Sequence, residues 1–410
     1  MTHWVKLVTA MITRLIYHEL QKELTEPEID ILLGPRQVGK TTLLKELETY
    51  ARGRGFKTAF FDLEQPQVLA DFNRPDTQII QKIRQSGNLI FIDEFQYIQN
   101  ASKIFKAIYD SDRRIKLICT GSSSLEIHKH LKESLAGRRR LFRLYPLEFR
   151  EIINSFPDFS LDDYLCFGGM PALTHTPSAD KKQIILAELL SAFILKDIKS
   201  LIKEENIRAF NHLLYLLAEH QGSLISVNAL ANEIGLSSKA LNRYLDILEQ
   251  TFVNFRLYSY STNLGNELKK SFKTYLYDLG IRNALLKDFS APPGRPDKGT
   301  LLESVVFLKI KNSLAPNMEI KFWRTKDGSE VDFILLKDRK PLPIEVKSKL
   351  TALEIPLGLK RFLLRYPNVK QAVVINEDRD GVFGMNQCKI HFLPLEVFLR
   401  QPSADFAFVV

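Results

Sequence analysis

The sequence predicts an α/β protein whose amino-terminal third is built on a parallel sheet, and three observations carry that expectation. Short apolar runs at IDILL (29–33), KTAFFDLE (57–64), NLIFID (88–93), KLICTGSS (116–123) and RLFRLYPL (140–147) alternate with longer stretches of helical period. A stretch rich in proline and glycine, APPGRPDKG (291–299), then reads as a linker. Beyond it, a helical pattern from about residue 300 leads into strand patterns at MEIKFWRT, EVDFILL, LPIEVKS and KQAVVIN, a second α/β unit.

A chain of 410 residues is too long for one ordinary core. The expected organisation is a nucleotide-binding core over 1–150, a helical lid or linker over 151–218, a winged helix-turn-helix over 219–290 and an α/β domain over 299–410. With 45% hydrophobic and 26% charged residues, the composition excludes disordered and fibrous classes. Cys119, Cys166 and Cys388 lie far apart with no CxxC pair, so neither a disulfide framework nor a zinc site is expected, and a reducing, cytoplasmic setting fits best. Lys6, Arg14, His18 and Glu19 interrupt the apolar stretch at the start, and no run approaches the ~20 apolar residues of a spanning helix, so no membrane span is expected. A net charge of +9 suits an anionic partner, of which nucleic acid is the commonest; charge alone does not separate this from the background of a basic proteome.

The first chemical motif follows the first strand. Gly34, Pro35, Arg36, Gln37, Val38, Gly39, Lys40, Thr41 and Thr42 spell G-x-x-x-x-G-K-[ST] between a strand and the helical pattern TLLKELETYA, the context a phosphate-binding P-loop requires. The glycines let successive backbone N–H groups turn toward phosphate oxygens, and the helix N-terminus adds its partial positive charge. Lys40 is expected on the β- and γ-phosphates of ATP, and the Thr41 hydroxyl on Mg²⁺. The third strand, LIFIDEFQ, ends in Asp93 and Glu94, the order of a Walker B strand. Asp93 is expected to hold the magnesium ion and Glu94 to act as general base on the attacking water.

GPRQVGKTTLL, LIFIDEFQ, ICTGSSS, SLAGR and YPLEF together resemble the prokaryotic AAA-type ATPases that carry a C-terminal domain of unknown function, over nearly the whole chain. That resemblance implies a polar residue at the end of the fourth strand touching the γ-phosphate or its water, with Ser122 the best match and Thr120 second. It further implies an arginine finger just before the fifth strand. Arg138 occupies that position, with Arg139 and Arg140 alongside as alternatives, and a finger acting on a neighbouring subunit makes the active unit a homo-oligomer.

SVNALANEIGL and KALNRYLDILEQ, followed by FVNFRLYSY, suggest the winged helix-turn-helix. Ser237, Ser238, Lys239, Asn242 and Arg243 gather at one end of its second helix, and Lys269, Lys270 and Lys273 are expected to neutralise DNA phosphates; a protein-contact role stays open. In the last domain, Asp332 in EVDFILL and Glu345 and Lys347 in LPIEVKS resemble the PD-(D/E)XK nuclease core. Glu303 matches its helical acid, and Glu330 lies on the same face as Asp332. Positions i and i+2 of a strand share a face, so Glu345 and Lys347 point the same way. The expected function is ATP hydrolysis by an AAA+ protein that acts on or is regulated by DNA. Two alternatives stand beside it: an ATP-dependent partner switch with an inactive C-terminal domain, and an ATP-regulated Mg²⁺-dependent nuclease.

Overall fold

The computed structural model describes residues 12–122, 135–193, 207–261 and 271–402. They fall into two compact units, Met1–Leu147 with Asp246–Val253, and Glu148–Leu245 with Asn254–Val410.

The first unit contains α1 (Tyr17–Glu23), β1 (Ile29–Gly34), α2 (Lys40–Gly53), β2 (Thr58–Asp62), α3 (Pro66–Phe72), α4 (Asp76–Ser86), β3 (Leu89–Asp93), α5 (Ala101–Ser111), β4 (Lys116–Ser122) and β5 (Arg139–Arg143). The five expected strands form one sheet in the order β2-β3-β4-β1-β5, parallel at every pairing. β1, β3 and β4 are buried along their whole length, which explains why they read as continuous rather than alternating apolar runs. β5 stops at Arg143, short of the expected 147. Leu144 still donates its N–H to Leu33, and its carbonyl oxygen would lie 2.1 Å from a Cβ at Gly34. A glycine at 34 is therefore required by the close approach of this backbone.

One charge pair sits inside this sheet. Asp30 on β1 is fully buried, and the Lys116 ammonium on β4 reaches it at 2.8 Å while donating to the Glu28 carbonyl. Burial pushes the Asp30 carboxyl up to about 7, against the pull of Lys116.

The second unit begins with α6 (Phe149–Ser155), α7 (Leu161–Phe167), α8 (Pro171–Thr174), α9 (Ala179–Phe193) and α10 (Ile207–Glu219). β6 (Leu224–Ser226), α11 (Val227–Glu233), α12 (Ser238–Gln250), β7 (Asn254–Leu257) and β8 (Ser271–Leu276) follow; the last residues of α12 count with the first unit. Then come α13 (Leu279–Leu286), α14 (Lys298–Asn312), β9 (Met318–Arg324), β10 (Glu330–Lys337), β11 (Lys340–Lys347), α15 (Leu357–Arg365), β12 (Gln371–Asn376), β13 (Gly381–Met385), β14 (Cys388–Pro394) and α16 (Leu395–Arg400). β6-β8-β7 is a small antiparallel sheet, and β13-β14-β12-β11-β10-β9 a mixed one, parallel where β12 meets β11 and β14. β13 and β14 have no counterpart among the expected strands. β13 carries two glycines and is largely exposed, so it lacks the alternation that marks a strand.

Two segments with no expected chemistry turn out to be coupled. In FGGMP, the Gly169 N–H donates to the buried Asp278 carboxylate at 2.8 Å, and the same side chain accepts the Ile281 N–H at 3.0 Å to cap α13. Burial pushes the Asp278 carboxyl up to about 6. Gly168, at φ 75°, would drive a Cβ to 2.3 Å from that carboxylate. The stretch APPGRPDKG is exposed at most positions and anchored at two. Pro292 is buried, and the Arg295 guanidinium, 1% exposed, donates to Asp297 at 2.7 Å and to Asn283 at 3.2 Å. None of the three boundaries between the units falls there.

All three cysteines are free and buried, and burial raises each thiol, Cys388 to about 11. Among the described residues, no helix is long and apolar enough to cross a membrane.

Lys116→Met leaves Asp30 buried without its cation and should cost on the order of 3 kcal/mol in urea denaturation. Adding Asp30→Leu should restore most of the loss. A double variant as unstable as the single one would show that the ion pair is not the source.

Candidate functional site

The carboxyl ends of the parallel strands collect the motif residues of the first unit. Pairing register places Gly34 beside Ser122 and Asp62 beside Asp93, so the ends of β1, β4, β3 and β2 form one edge. After β1 the chain turns through Gln37, at φ 60°, and Gly39, at φ 91°, before α2 begins at Lys40. The buried Lys40 ammonium donates back across this turn to the carbonyls of Gly34 at 3.0 Å and Pro35 at 2.7 Å. Pro35 and Val38 are buried, Arg36 and Gly39 half-buried, and Gln37 and Thr42 exposed.

Asp93 is 2% exposed at the end of β3. It hydrogen-bonds the side chains of Thr120 and Thr41. Burial pushes its carboxyl above the ordinary aspartate value, against the pull of those two hydroxyls. Glu94 follows in the left-handed region at φ 56°, a conformation that turns its side chain out of the strand's alternation. The Glu94 N–H donates to Thr120 Oγ1 at 3.2 Å, and its Oε2 accepts the Ser122 N–H at 3.2 Å and the Gln96 side-chain amide. Gln96 also donates to Ser122 Oγ at 3.0 Å. Thr120, the second choice in sequence, thus bonds directly to Asp93, whereas Ser122 engages Glu94 and Gln96.

Two further residues shape the turn. The Arg14 guanidinium, nearly buried, donates to the carbonyls of Val38 and Tyr145, both at 2.7 Å, and so props the P-loop against the segment after β5. Beside Thr42, a cavity of about 610 Å³ is lined by Thr13, Tyr17, Lys45, Glu46, Thr49 and Tyr50. Nothing in the sequence singled out Arg14. Gln96 stands two residues after Glu94, but no motif rule marks it.

Arg138 immediately precedes β5, as expected. Arg139 pairs with Ile29 at the start of β1, so Arg138 lies at the sheet edge opposite the P-loop of its own chain. Its guanidinium forks onto Asp110 of α5, Nε at 2.7 Å and Nη2 at 3.2 Å, which raises its pKa further. The Arg140 guanidinium pairs instead with Glu23.

In the second unit the structure brings Glu303, Asp332, Glu345 and Lys347 together with three residues not expected there. The pairing of β10 with β9 shifts between Val331 and Ile334, a bulge that re-aims Asp332. Asp332 Oδ2 accepts the Val346 N–H at 2.8 Å, and the Lys347 ammonium reaches Glu345 Oε1 at 2.6 Å. Glu345 Oε2 is buried and accepts no hydrogen bond. Burial and the Asp332 charge push the Glu345 carboxyl up to about 8. A cavity of about 550 Å³ opens onto Asp332, Glu345, Lys347, Glu330 and Arg361.

Lys273 on β8 was expected to face DNA phosphate; it is 1% exposed, and its ammonium lies 2.5 Å from Glu330, 3.0 Å from Glu303 and 3.9 Å from Asp332. Tyr275 donates its hydroxyl to Glu303 Oε1 at 2.5 Å, and Arg324 pairs with the other oxygen of Glu330 at 2.6 Å. Among the described residues, no group of three or more His, Cys, Asp or Glu side chains is arranged to hold a metal ion. Lys269 and Lys270 lie outside the described residues.

Three family models match the chain in series: an AAA domain over residues 26–153, a domain of unknown function (DUF8612) over 158–291, and another domain of unknown function (DUF4143) over 298–398. An uncharacterized protein of Mycobacterium tuberculosis is 27% identical over 359 residues, spanning 85% of this chain and 78% of that protein. One from Haemophilus influenzae is 24% identical over 373 residues, spanning 85% and 88%. Among solved structures, AMPPCP-bound DnaA from Aquifex aeolicus is similar with a TM-score of 0.29 and 13% identity, over 57% of this chain and 86% of that one. Domain III of DnaA from Thermotoga maritima scores 0.28 at 11% identity, over 46% and 90%. Scores at this level carry no inference about this chain. The family match and the edge built by Gly34–Thr42, Asp93 and Thr120 make the first unit an AAA-type, ATP-binding domain.

Arg14→Met removes both props of the P-loop turn, and ATP affinity should fall about tenfold with the fold retained. Titration with a fluorescent ATP analogue reads this directly; unchanged affinity would mean the turn holds its shape without Arg14.

Proposed function

We propose that the chain hydrolyses ATP at the first unit and that the cycle serves a nucleic-acid partner. The chain Thr41–Asp93–Thr120, with Glu94 next in sequence and its carboxylate on the Ser122 N–H and the Gln96 amide, is the observation that carries the hydrolysis reading. Backbone N–H groups of Gly34–Thr42 would cradle the phosphates, and Lys40 would exchange its two carbonyl contacts for phosphate oxygens. Thr41 and Asp93 fit a hard cation: oxygen donors, one a buried carboxylate, at the N-terminus of α2. Mg²⁺ bound there neutralises phosphate charge. Glu94 orients and deprotonates the attacking water, and Gln96 and Ser122 set the direction of its carboxylate. The cavity beside Thr42 offers the ring of Tyr17 to the base.

Arg138 cannot reach its own chain's P-loop, so its catalytic use requires a second copy, with Asp110 released as the guanidinium turns to a neighbour's phosphates. This supports a homo-oligomer as the active form. The three unpaired cysteines support a reducing, cytoplasmic setting.

For the partner, the order helix–strand–helix–helix–strand–strand from α10 to β8, with β8 central in its sheet, supports a winged helix-turn-helix. The first turns of α12 expose Lys239, Asn242 and Arg243, residue types that contact phosphates and base edges. A protein-partner switch uses the same helix without DNA.

Lys40→Ala should abolish ATP binding. Glu94→Gln should keep binding and lower turnover about 100-fold or more; turnover within a few-fold of the native rate would refute the general-base role. Double- or single-stranded DNA should raise hydrolysis, and Lys239→Glu with Arg243→Glu should remove that rise. Hydrolysis indifferent to DNA would favour the protein-partner switch.

A further inference from the structure

The carboxylate cluster of the second unit gathers four acidic side chains around one buried ammonium. Glu303 comes from α14, Glu330 and Asp332 from β10, and Glu345 from β11. Four acidic side chains packed this closely repel one another unless positive charge enters. In hydrolytic metal sites that charge is a divalent ion with oxygen ligands. Here the ammonium of Lys273 enters from β8, a strand outside the six-stranded sheet, and stands within 4 Å of three of the four acids. Burial alone would pull the Lys273 ammonium down, yet Glu303, Asp332 and Glu330 hold it above the ordinary lysine value. It stays charged.

The remaining oxygens are also largely committed. Glu303 Oε1 serves Lys273 and Tyr275, Glu330 divides itself between Lys273 and Arg324, and Asp332 accepts a backbone N–H. By contrast, Glu345 Oε2, on a side chain 4% exposed, has no hydrogen-bond partner, and Glu345 lines the same cavity as Asp332 and Lys347. A buried carboxyl oxygen without a partner is costly, and the one cation beside Glu345, Lys347, engages only the other oxygen of that side chain.

We propose that Lys273 is the resident cation of this cluster: it occupies the place of a divalent ion, so that with β8 in position the C-terminal sheet takes up no metal and cleaves no phosphodiester. Removing the lysine's charge creates a site for a single multivalent cation among Glu303, Glu330 and Asp332. The inference does not depend on the nucleotide reading and is tested without nucleotide.

Terbium(III) is the probe, because the Tyr275 hydroxyl on Glu303 places a sensitising ring beside the cluster. The full-length wild type should give no saturable tyrosine-sensitised emission that depends on Glu303. Lys273→Met should bind a single equivalent at least about tenfold more tightly, and adding Glu330→Gln should remove the gain. A wild type that binds Tb³⁺ in a manner abolished by Glu303→Gln overturns the proposal, as does a folded Lys273→Met chain with no gain. Should Lys273→Met fail to fold by circular dichroism, Lys273→Arg, which keeps the cation, is expected to fold and remain blind to Tb³⁺. An arginine variant with new Glu303-dependent Tb³⁺ emission overturns the proposal equally.

Discussion

A carboxylate sealed from water must be solvated by its neighbours, and the edge of the parallel sheet is organised around meeting that requirement for Asp93. Thr41 comes from the start of α2 and Thr120 from β4, so two elements are pinned to the end of β3 by one side chain. The pairing that sets Gly34 beside Ser122 brings both threonines within reach. A slip of one residue in β3 would send Asp93 to the other face and leave both hydroxyls without it. The left-handed turn at Glu94 then directs the second acid of the pair toward Gln96 and Ser122 rather than back into the sheet. Two adjacent carboxylates thereby receive different surroundings, which is what different chemical duties require.

The second unit solves the inverse problem. Its buried charge is a lysine, and the solvation comes from acids on α14 and β10. The same economy recurs at Asp278, where backbone N–H groups of the FGGMP and LGI segments do the solvating, and at Arg295, where Asp297 does. These buried polar contacts pin the chain locally and at a distance, and composition marks 291–299 as a linker because only Pro292 and Arg295 of that stretch are buried.

The legible parts of the fold were those governed by local rules. β1, β3 and β4 were visible because burial on both faces leaves an uninterrupted apolar run, and the P-loop was visible because phosphate binding demands glycines and a lysine at set intervals. The hairpin bearing Asp332, Glu345 and Lys347 could be read from strand alternation. Arg14, Gln96 and Lys273 were not legible in these roles, since each is defined by partners brought together only by tertiary contact. Lys273 misled for a physical reason: beside Lys269 and Lys270 it reads as part of a solvated basic run, while the acids that bury it lie on α14 and β10. β13 was missed because an exposed strand with two glycines carries no apolar period.

The sealed cysteines have a practical consequence. A thiol reacts as its thiolate, and Cys119, Cys166 and Cys388 are both shielded and shifted away from ionisation. The chain therefore presents a chemically silent background to maleimides and mild oxidants. A cysteine introduced on the exposed turn of α12 would be the sole reactive handle among the described residues, so a dye or spin label could follow that helix through a nucleotide cycle without first stripping the native thiols.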